Sequence, residues 1–258
     1  MMRVRAKKRL GQHFLMDEDI ARFIIETLPS EFDIFVLEVG SGMGALTKYL
    51  IKKKNIDLTC VEVDKEANDY LKQHYPNLNI INFDFLKLDL SELFDGNEIY
   101  LIGNFPYNIS NLIFFKLLEN KDRIVQCSGM VQKEVAERIT STHGKKTYGI
   151  LSVLLQTYYD IHYLKTVSPT CFIPIPKVES AVIILKRNKR FSLPCNEIFY
   201  KNVVKTAFNQ RRKQLRNSLK KIVCHDSLYL NNPLFSLRPE QLTVDDFIEL
   251  TCKLEKNV

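Results

Sequence analysis

From Ile34 onward, short apolar runs alternate with segments whose apolar positions recur at helical spacing. "IFVLEV" (34–39) has the length and β-branching of a buried strand. "ALTKYLIKKK" (45–54) reads as an amphipathic helix, "DLTCVEV" (57–63) as a second strand, and "KEANDYLKQHY" (65–75) as a helix stopped by Pro76. "LNIINFD" (78–84) and "EIYLIG" (98–103) continue the strands. "SNLIFFKLLEN" (110–120) is a helix with Ser110 or Asn111 as its cap, and "RIVQCSGMVQ" (123–132) is a fifth strand. Strands that alternate with helices predict an α/β fold with a parallel, doubly wound sheet.

The pattern changes after about residue 150. "ILSVLLQTYYDIHYLKTV" and "VESAVIILKR" are long apolar or alternating runs, separated by the proline-rich "SPTCFIPIPK". With no helix between them they predict an antiparallel hairpin that completes the sheet. From about residue 189 the chain turns helical and basic. Phe199, Val203, Val204 and Ala207, then Leu215, Leu219 and Ile222, fall on helical spacing. A last helix starts near Thr243, with Asp246 as its capping-box partner. The expected organisation is a sheet domain over 1–188 and a smaller all-α domain over 189–258.

At 258 residues and 45% hydrophobic, the chain can bury a sizeable core. No stretch approaches the ~20 apolar residues that span a bilayer, so no membrane partner is expected. The basic start "MMRVRAKKRL" is followed by polar "GQH" and acidic "MDED" rather than an apolar stretch. No targeting signal is read there, and a cytoplasmic protein is expected. Six scattered cysteines, Cys60, Cys127, Cys171, Cys195, Cys224 and Cys252, form no CxxC, and the five histidines are equally scattered. Free thiols and no metal site are expected.

The net charge of +7 is unevenly spread. Residues 3–9 carry +5 and residues 186–221 carry +11, so the rest of the chain is acidic, at −9. Basic charge concentrated on a folded protein is the footprint of a phosphate backbone; a solvated basic face or an anionic membrane surface is the plainer alternative.

The candidate chemistry lies at the ends of the predicted strands. The first runs into "EVGSGMGALT", where Gly40, Gly42 and Gly44 sit at a strand-to-helix turn. Glycines there permit a tight turn and let a ligand touch the backbone, with the helix N-terminus adding partial positive charge. The spacing is GxGxG and no Lys-Ser/Thr follows, which excludes a P-loop. Glu62 ends the second strand, 20 residues after Gly42, where an acid can accept hydrogen bonds from both ribose hydroxyls. Asp84 ends the third, where a carboxylate can accept from an adenine amino group. The fourth delivers Asn104-Phe105-Pro106-Tyr107. The Asn104 side-chain oxygen and the Phe105 carbonyl are two acceptors able to hold the two hydrogens of an aromatic amine. Pro106 stiffens the turn, and Tyr107 offers a stacking face worth ~1–3 kcal/mol.

These stretches resemble those of the ribosomal RNA adenine N6-dimethyltransferases of the KsgA type. "RLGQHFLMD" (9–17), "VLEVGSGMGALT", "NFPYNIS", "FIPIPKVESAVIIL" (172–185), "AFNQRRKQLRNSLKK" (207–221) and "RPEQLTVDDF" (238–247) match in order and spacing over nearly the whole chain. The resemblance implies a Rossmann-like sheet that binds S-adenosylmethionine. It implies that His13 and Leu15 contact the cofactor from the N-terminal arm, with Gly40 and Gly42 at its turn, Glu62 on its ribose and Asp84 on its adenine. Asn104 serves cofactor and target base. Phe172 stacks on the flipped adenine opposite Tyr107, whereas the residues alone make Phe172 a loop anchor. Arg211, Arg212, Lys213 and Arg216 grip phosphates. The family more often has Leu or Ile where Phe105 stands, and Pro where Ser41 stands.

The implied function is S-adenosylmethionine-dependent N6-dimethylation of two adjacent adenines in a hairpin loop near the 3′ end of small-subunit ribosomal RNA. The implied partner is an immature small ribosomal subunit, bound by a monomer. An assembly factor with methylation secondary, and an Erm-like methyltransferase of large-subunit RNA, are the alternatives.

Overall fold

The computed structural model describes residues 4–220, 222 and 232–255; Arg3, Lys221 and Cys224 of the sequence reading lie outside them. The chain divides into two compact units, residues 1–136 with 161–187 and residues 137–160 with 188–258.

In the first unit, β1 (Phe14–Leu15) leads to α1 (Glu18–Ile25). Asp17 caps this helix by accepting the Asp19 and Ile20 N–H groups. Then follow β2 (Ile34–Val39), α2 (Thr47–Leu50), β3 (Ile56–Val61), α3 (Lys65–His74) and β4 (Asn79–Ile81). β5 (Ile99–Asn104), α4 (Ser110–Glu119) and β6 (Ile124–Gln132) complete the alternation, and α5 (Lys133–Ile139) follows. α6 (Ile150–Tyr158) precedes β7 (Tyr159–Val167), β8 (Phe172–Ile173) and β9 (Ser180–Arg187).

Seven strands form one sheet in the order β4-β3-β2-β5-β6-β9-β7. β2 pairs parallel with β3 and β5, β3 with β4, and β5 with β6; β9 runs antiparallel to β6. The fold is the expected α/β sheet. Its order reverses direction between β2 and β5, and open sheets of this kind bind ligands beside that point. Separately, β1 and β8 pair antiparallel, with Leu15 opposite Phe172 and Phe14 opposite Ile173. The core between α1 and the sheet includes Leu15, Ile24, Val36, Met130, Phe172 and Val182.

Three local readings are corrected. The first half of "ILSVLLQTYYDIHYLKTV" is the helix α6 rather than a strand. Leu151 to Leu155 are all buried, and a helix buried all round shows no periodicity by which to distinguish it from a strand. α2 covers four residues rather than ten, so little helix dipole backs the glycine turn. α4 is capped by Ile109 without a side-chain bond, while the Ser110 hydroxyl donates back to the Tyr107 carbonyl at 3.2 Å.

The second unit gathers α6 with α7 (Glu197–Asn209), α8 (Leu215–Ser218) and α9 (Val244–Glu255). Val203, Val204 and Ala207 of α7 and Phe247, Leu250 and Leu254 of α9 are buried. Phe208 stacks on Phe247 at 5.9 Å, and Thr157 shares a 2.8 Å hydrogen bond with the buried Tyr200 hydroxyl. The α9 capping box forms as expected: Thr243 N–H donates to Asp246 at 2.8 Å and Asp246 N–H to the Thr243 hydroxyl at 3.1 Å.

Candidate active site

The carboxyl ends of the central strands are pinned by continued ladder bonds. Gly40 N–H donates to the Val61 carbonyl at 2.9 Å, Glu62 N–H to Ile81 at 3.1 Å, and Phe105 N–H to Met130 at 3.0 Å. These three anchors hold the wall of a cavity of about 180 Å³. Gly40, Gly42, Glu62 and Asp84 line it from one side, and Asn104 to Tyr107 and His13 from the other.

Gly40 has φ +72°, a conformation that costs an L residue roughly 1–2 kcal/mol. A Cβ there would also stand 3.4 Å from the Pro106 ring. That is an ordinary contact distance, so the demand for glycine comes from the left-handed turn itself.

Glu62 is buried, and both its oxygens accept backbone N–H groups, from Gly42 at 2.9 Å and Asp64 at 2.8 Å. Burial still raises its carboxyl above the usual range. Each oxygen retains a lone pair for a further donor. Glu38, two residues before the turn, is a second buried acid. It accepts from the Thr47 hydroxyl at 2.7 Å and the Cys60 thiol at 3.4 Å, and burial pushes its carboxyl up to about 7. Asp84 commits one oxygen to the Leu86 N–H at 3.0 Å. Val63 and Phe83, apolar yet 51% and 46% exposed, flank these acids on the cavity wall.

The N-terminal arm closes one side. Asp64 accepts from the Lys7 ammonium and from Gln12 Nε2 at 3.0 Å, and Lys7 also pairs with Glu66 at 3.0 Å. Burial works against the charge on Asp64, but the bonds from Lys7 and Gln12 outweigh it and hold its carboxyl below the usual range. Beyond Gly11, the Asn104 Nδ2 group donates to the His13 carbonyl at 2.8 Å. That bond uses one of the two Nδ2 hydrogens and fixes which end of the amide is the donor, with Oδ1 as its acceptor.

The Phe105 ring is 1% exposed. It is wedged where Gly103 and Gly129 face each other across β5 and β6; a Cβ on Gly129 would come within 2.7 Å of it. The Phe105 side chain is thus structural. The Tyr107 hydroxyl is hydrogen-bonded to Ser180 Oγ and its ring stacks on His13, centroids 5.1 Å apart at 27°.

A second, open groove of about 650 Å³ lies against the first cavity. It shares Gly11, Gln12, His13, Tyr107 and Asn108 with it, and its other wall is the segment from Pro174 to Val178. Two expected residues are absent from both. Leu15 and Phe172, at 5% and 0% exposure, are partners in the β1–β8 pair and turn into the core. The stacking role expected of Phe172 is therefore corrected: alternation along β8 sends Phe172 inward and leaves Ile173, 58% exposed, outward. Gln12, Val63, Phe83 and Asn108 line the first cavity without having been singled out. Gln12 falls within "RLGQHFLMD" and Asn108 within "NFPYNIS", whereas an exposed apolar residue beside a strand-end acid carries no signal.

In the second unit, Arg212, Lys213 and Arg216 are exposed. Arg211 is tied to its own unit: its guanidinium donates to the Lys145 carbonyl at 3.2 Å and lies 3.9 Å from Glu240. Among the described residues no helix is long and apolar enough to cross a membrane, and no His/Cys/Asp/Glu cluster is placed to hold a metal ion.

The cavity's chemistry fits S-adenosylmethionine: a buried acid for vicinal hydroxyls, a second acid for an amino group, apolar walls for a base, and a backbone cradle at Gly40. The family described as "Ribosomal RNA adenine dimethylase" matches residues 3–257.

The chain belongs to the ribosomal RNA adenine dimethylase family.

It is a methyltransferase that dimethylates adenine in ribosomal RNA with S-adenosylmethionine as methyl donor. Similar proteins include "Ribosomal RNA small subunit methyltransferase A" of Parabacteroides distasonis, 54% identical over 260 residues, covering 100% of this chain and 97% of the relative. The protein of that name in Porphyromonas gingivalis is 54% identical over 259 residues, covering 99% of this chain and all of the relative. Among solved structures, a dimethyladenosine transferase from Plasmodium falciparum has the same fold at 22% identity, with TM-score 0.78 over 95% of this chain and 98% of that one. The 23S rRNA methyltransferase ErmE is similar at 24% identity and TM-score 0.67, covering 92% and 99%. At those identities the likeness speaks for the fold alone.

Proposed function

We propose that this methyltransferase dimethylates N6 of two adjacent adenines in a hairpin loop near the 3′ end of small-subunit ribosomal RNA, within an immature small subunit. The relatives at 54% identity, named for the small subunit, support that choice of RNA. The observation that carries the chemistry is the Asn104 amide. Its Nδ2 donates to the His13 carbonyl, which leaves Oδ1 as the acceptor the amide offers on the wall of the cavity, next to Tyr107, where cavity and groove share residues.

The target adenine leaves its stack and enters the groove beside Tyr107. Asn104 Oδ1 and the Phe105 carbonyl accept the two N6 hydrogens, which turns the nitrogen lone pair out of the ring plane. Glu62 and Asp84 hold the cofactor's ribose and adenine. The cofactor, when bound, would supply an electrophilic sulfonium methyl and be left as the neutral thioether, while N6 would release one proton to solvent for each methyl it gains. The amine is already a nucleophile once its lone pair is localised, so positioning does most of the work. Asn104 Oδ1 also stabilises the positive charge that develops on N6. Arg212, Lys213 and Arg216 grip phosphates, with Arg211 bracing the helices that carry them. The catalytic part is read as 1–188 and the RNA-gripping part as 189–258, the latter packed with residues 137–160 in one compact unit. The protein acts as a monomer in the cytoplasm.

The test is to incubate small subunits isolated without this modification with the protein and labelled S-adenosylmethionine, then map the product. Two adjacent N6,N6-dimethyladenines are expected. Label found in large-subunit RNA, or on a single adenine, would sink this reading.

A further inference from the structure

His13 joins three parts of the first unit: Asn104, Tyr107 and Pro174. Its carbonyl accepts from Asn104 Nδ2 at 2.8 Å, which sets the orientation of the amine-holding amide. Its ring lies on one face of Tyr107 at 5.1 Å. Its Nδ1 is 2.7 Å from the Pro174 carbonyl. A carbonyl can only accept, so Nδ1 carries the hydrogen. Pro174 begins the far wall of the groove, and His13 borders both groove and cavity.

The neighbouring backbone makes this arrangement rigid. Phe14 and Leu15 pair with Ile173 and Phe172 immediately beyond His13, and Met16 N–H donates to the Cys171 carbonyl at 2.8 Å. At its other end Tyr107 is tied through its hydroxyl to Ser180, the first residue of β9. The ring on which a base would stack is thus held at both ends, by His13 on one face and by Ser180 at the hydroxyl.

We propose that the His13 side chain is a positioning residue for the target adenine. It backs the Tyr107 ring and spaces it from the Pro174–Val178 wall, so the arm that closes the cofactor cavity also completes the base slot. This rests on the adenine-methylating reading and deepens it: the imidazole serves the RNA substrate, while the His13 backbone serves the cofactor side.

Three variants separate the contacts. His13→Asn keeps a donor near the Nδ1 position and loses the ring. His13→Phe keeps the ring and loses the donor. His13→Ala loses both. One hydrogen bond and one aromatic contact together predict an increase of about tenfold or more in KM for unmodified small subunits in the alanine variant. The asparagine and phenylalanine variants should each recover part of that loss. The Kd for S-adenosylhomocysteine, measured by calorimetry, should stay within about threefold of the parent in all three, because the backbone carbonyl is retained. Melting temperatures close to the parent's establish that the variants fold, and the two conservative variants carry the test if the alanine variant does not.

An unchanged KM in His13→Phe and His13→Asn together with a weakened cofactor Kd would assign the ring to the cofactor and overturn the proposal. An unchanged KM in folded His13→Ala would overturn it as well. A parent protein that methylates no small-subunit adenine would instead overturn the functional reading on which the proposal rests, a result distinct from either.

Discussion

Glu62 follows β3 and Asn104 ends β5, the two strands that flank β2, and both border one cavity. Glu62 is held by partners 20 and 2 residues away, the N–H groups of Gly42 and Asp64. Asn104 is held by a carbonyl 91 residues away, and Tyr107 beside it by a hydroxyl 73 residues away. The wall proposed for the cofactor is built mainly by neighbouring strand ends, while the side proposed to hold the amine is assembled by the N-terminal arm and β9. Local construction makes a binding site that forms with the sheet. Long-range construction makes a site whose geometry depends on the arm being seated.

The largest effect should come from Asn104→Ala. It removes an acceptor from the reacting nitrogen, and a lost preorganised polar group of this kind costs about 10²–10³-fold in kcat. Single-turnover methyl transfer measures it, and cofactor affinity should change far less. A variant that lost cofactor affinity and kept its rate would erase the distinction between the two sides.

Glu62→Gln should come next. Both carboxylate oxygens accept backbone N–H groups. A glutamine offers one acceptor and turns its own N–H₂ toward the other donor. Hydrogen bonds to a charged group are worth about 1.5–3 kcal/mol, so the cofactor Kd should rise by about 10- to 100-fold in calorimetry, with a smaller change in kcat at saturation.

Gly40→Ala touches both sides, since the added methyl sits in a left-handed turn and meets Pro106. A loss of about 1–2 kcal/mol in urea-unfolding stability is expected. No loss would mean that the turn accepts a side chain at this position without strain.

The smallest effect is on pH dependence. Glu38 sits at about 7 against the usual 4.5, so between those values the native chain keeps a proton that the unfolded chain has lost. Its contribution to stability is full below about pH 4.5 and is lost as pH rises through about 7. Glu38→Gln keeps an acceptor for Thr47 and cannot titrate. Its melting temperature should therefore fall less steeply over that window. Glu62 titrates in the same direction, so a slope should remain. Identical slopes in parent and variant would remove Glu38 from the account.

Much of the site could be read from residue order, because strand ends and turns are short-range features. The GxGxG turn after β2, Glu62 after β3, Asp84 three residues after β4 and Asn104 at the end of β5 all line the cavity, as parallel strands require. Phe172 could not be read in this way: its direction depends on the register of β8 against β1, and a two-residue strand has no pattern of its own. The helix α6 was equally illegible, since burial on every side removes the polar face that marks a helix.

Sequence by itself determined the parallel sheet, its ligand-binding edge, the residue types offered there and the two basic segments, because each depends on periodicity, spacing or charge within a few turns of chain. Tertiary structure alone decided which end of the Asn104 amide is tied to His13, that Phe172 and Phe105 lie in the core while Tyr107 borders the cavity, and that Arg211 is braced by Glu240 and Lys145. Those outcomes turn on partners brought together from distant positions, and on the cost of leaving a buried polar group without one.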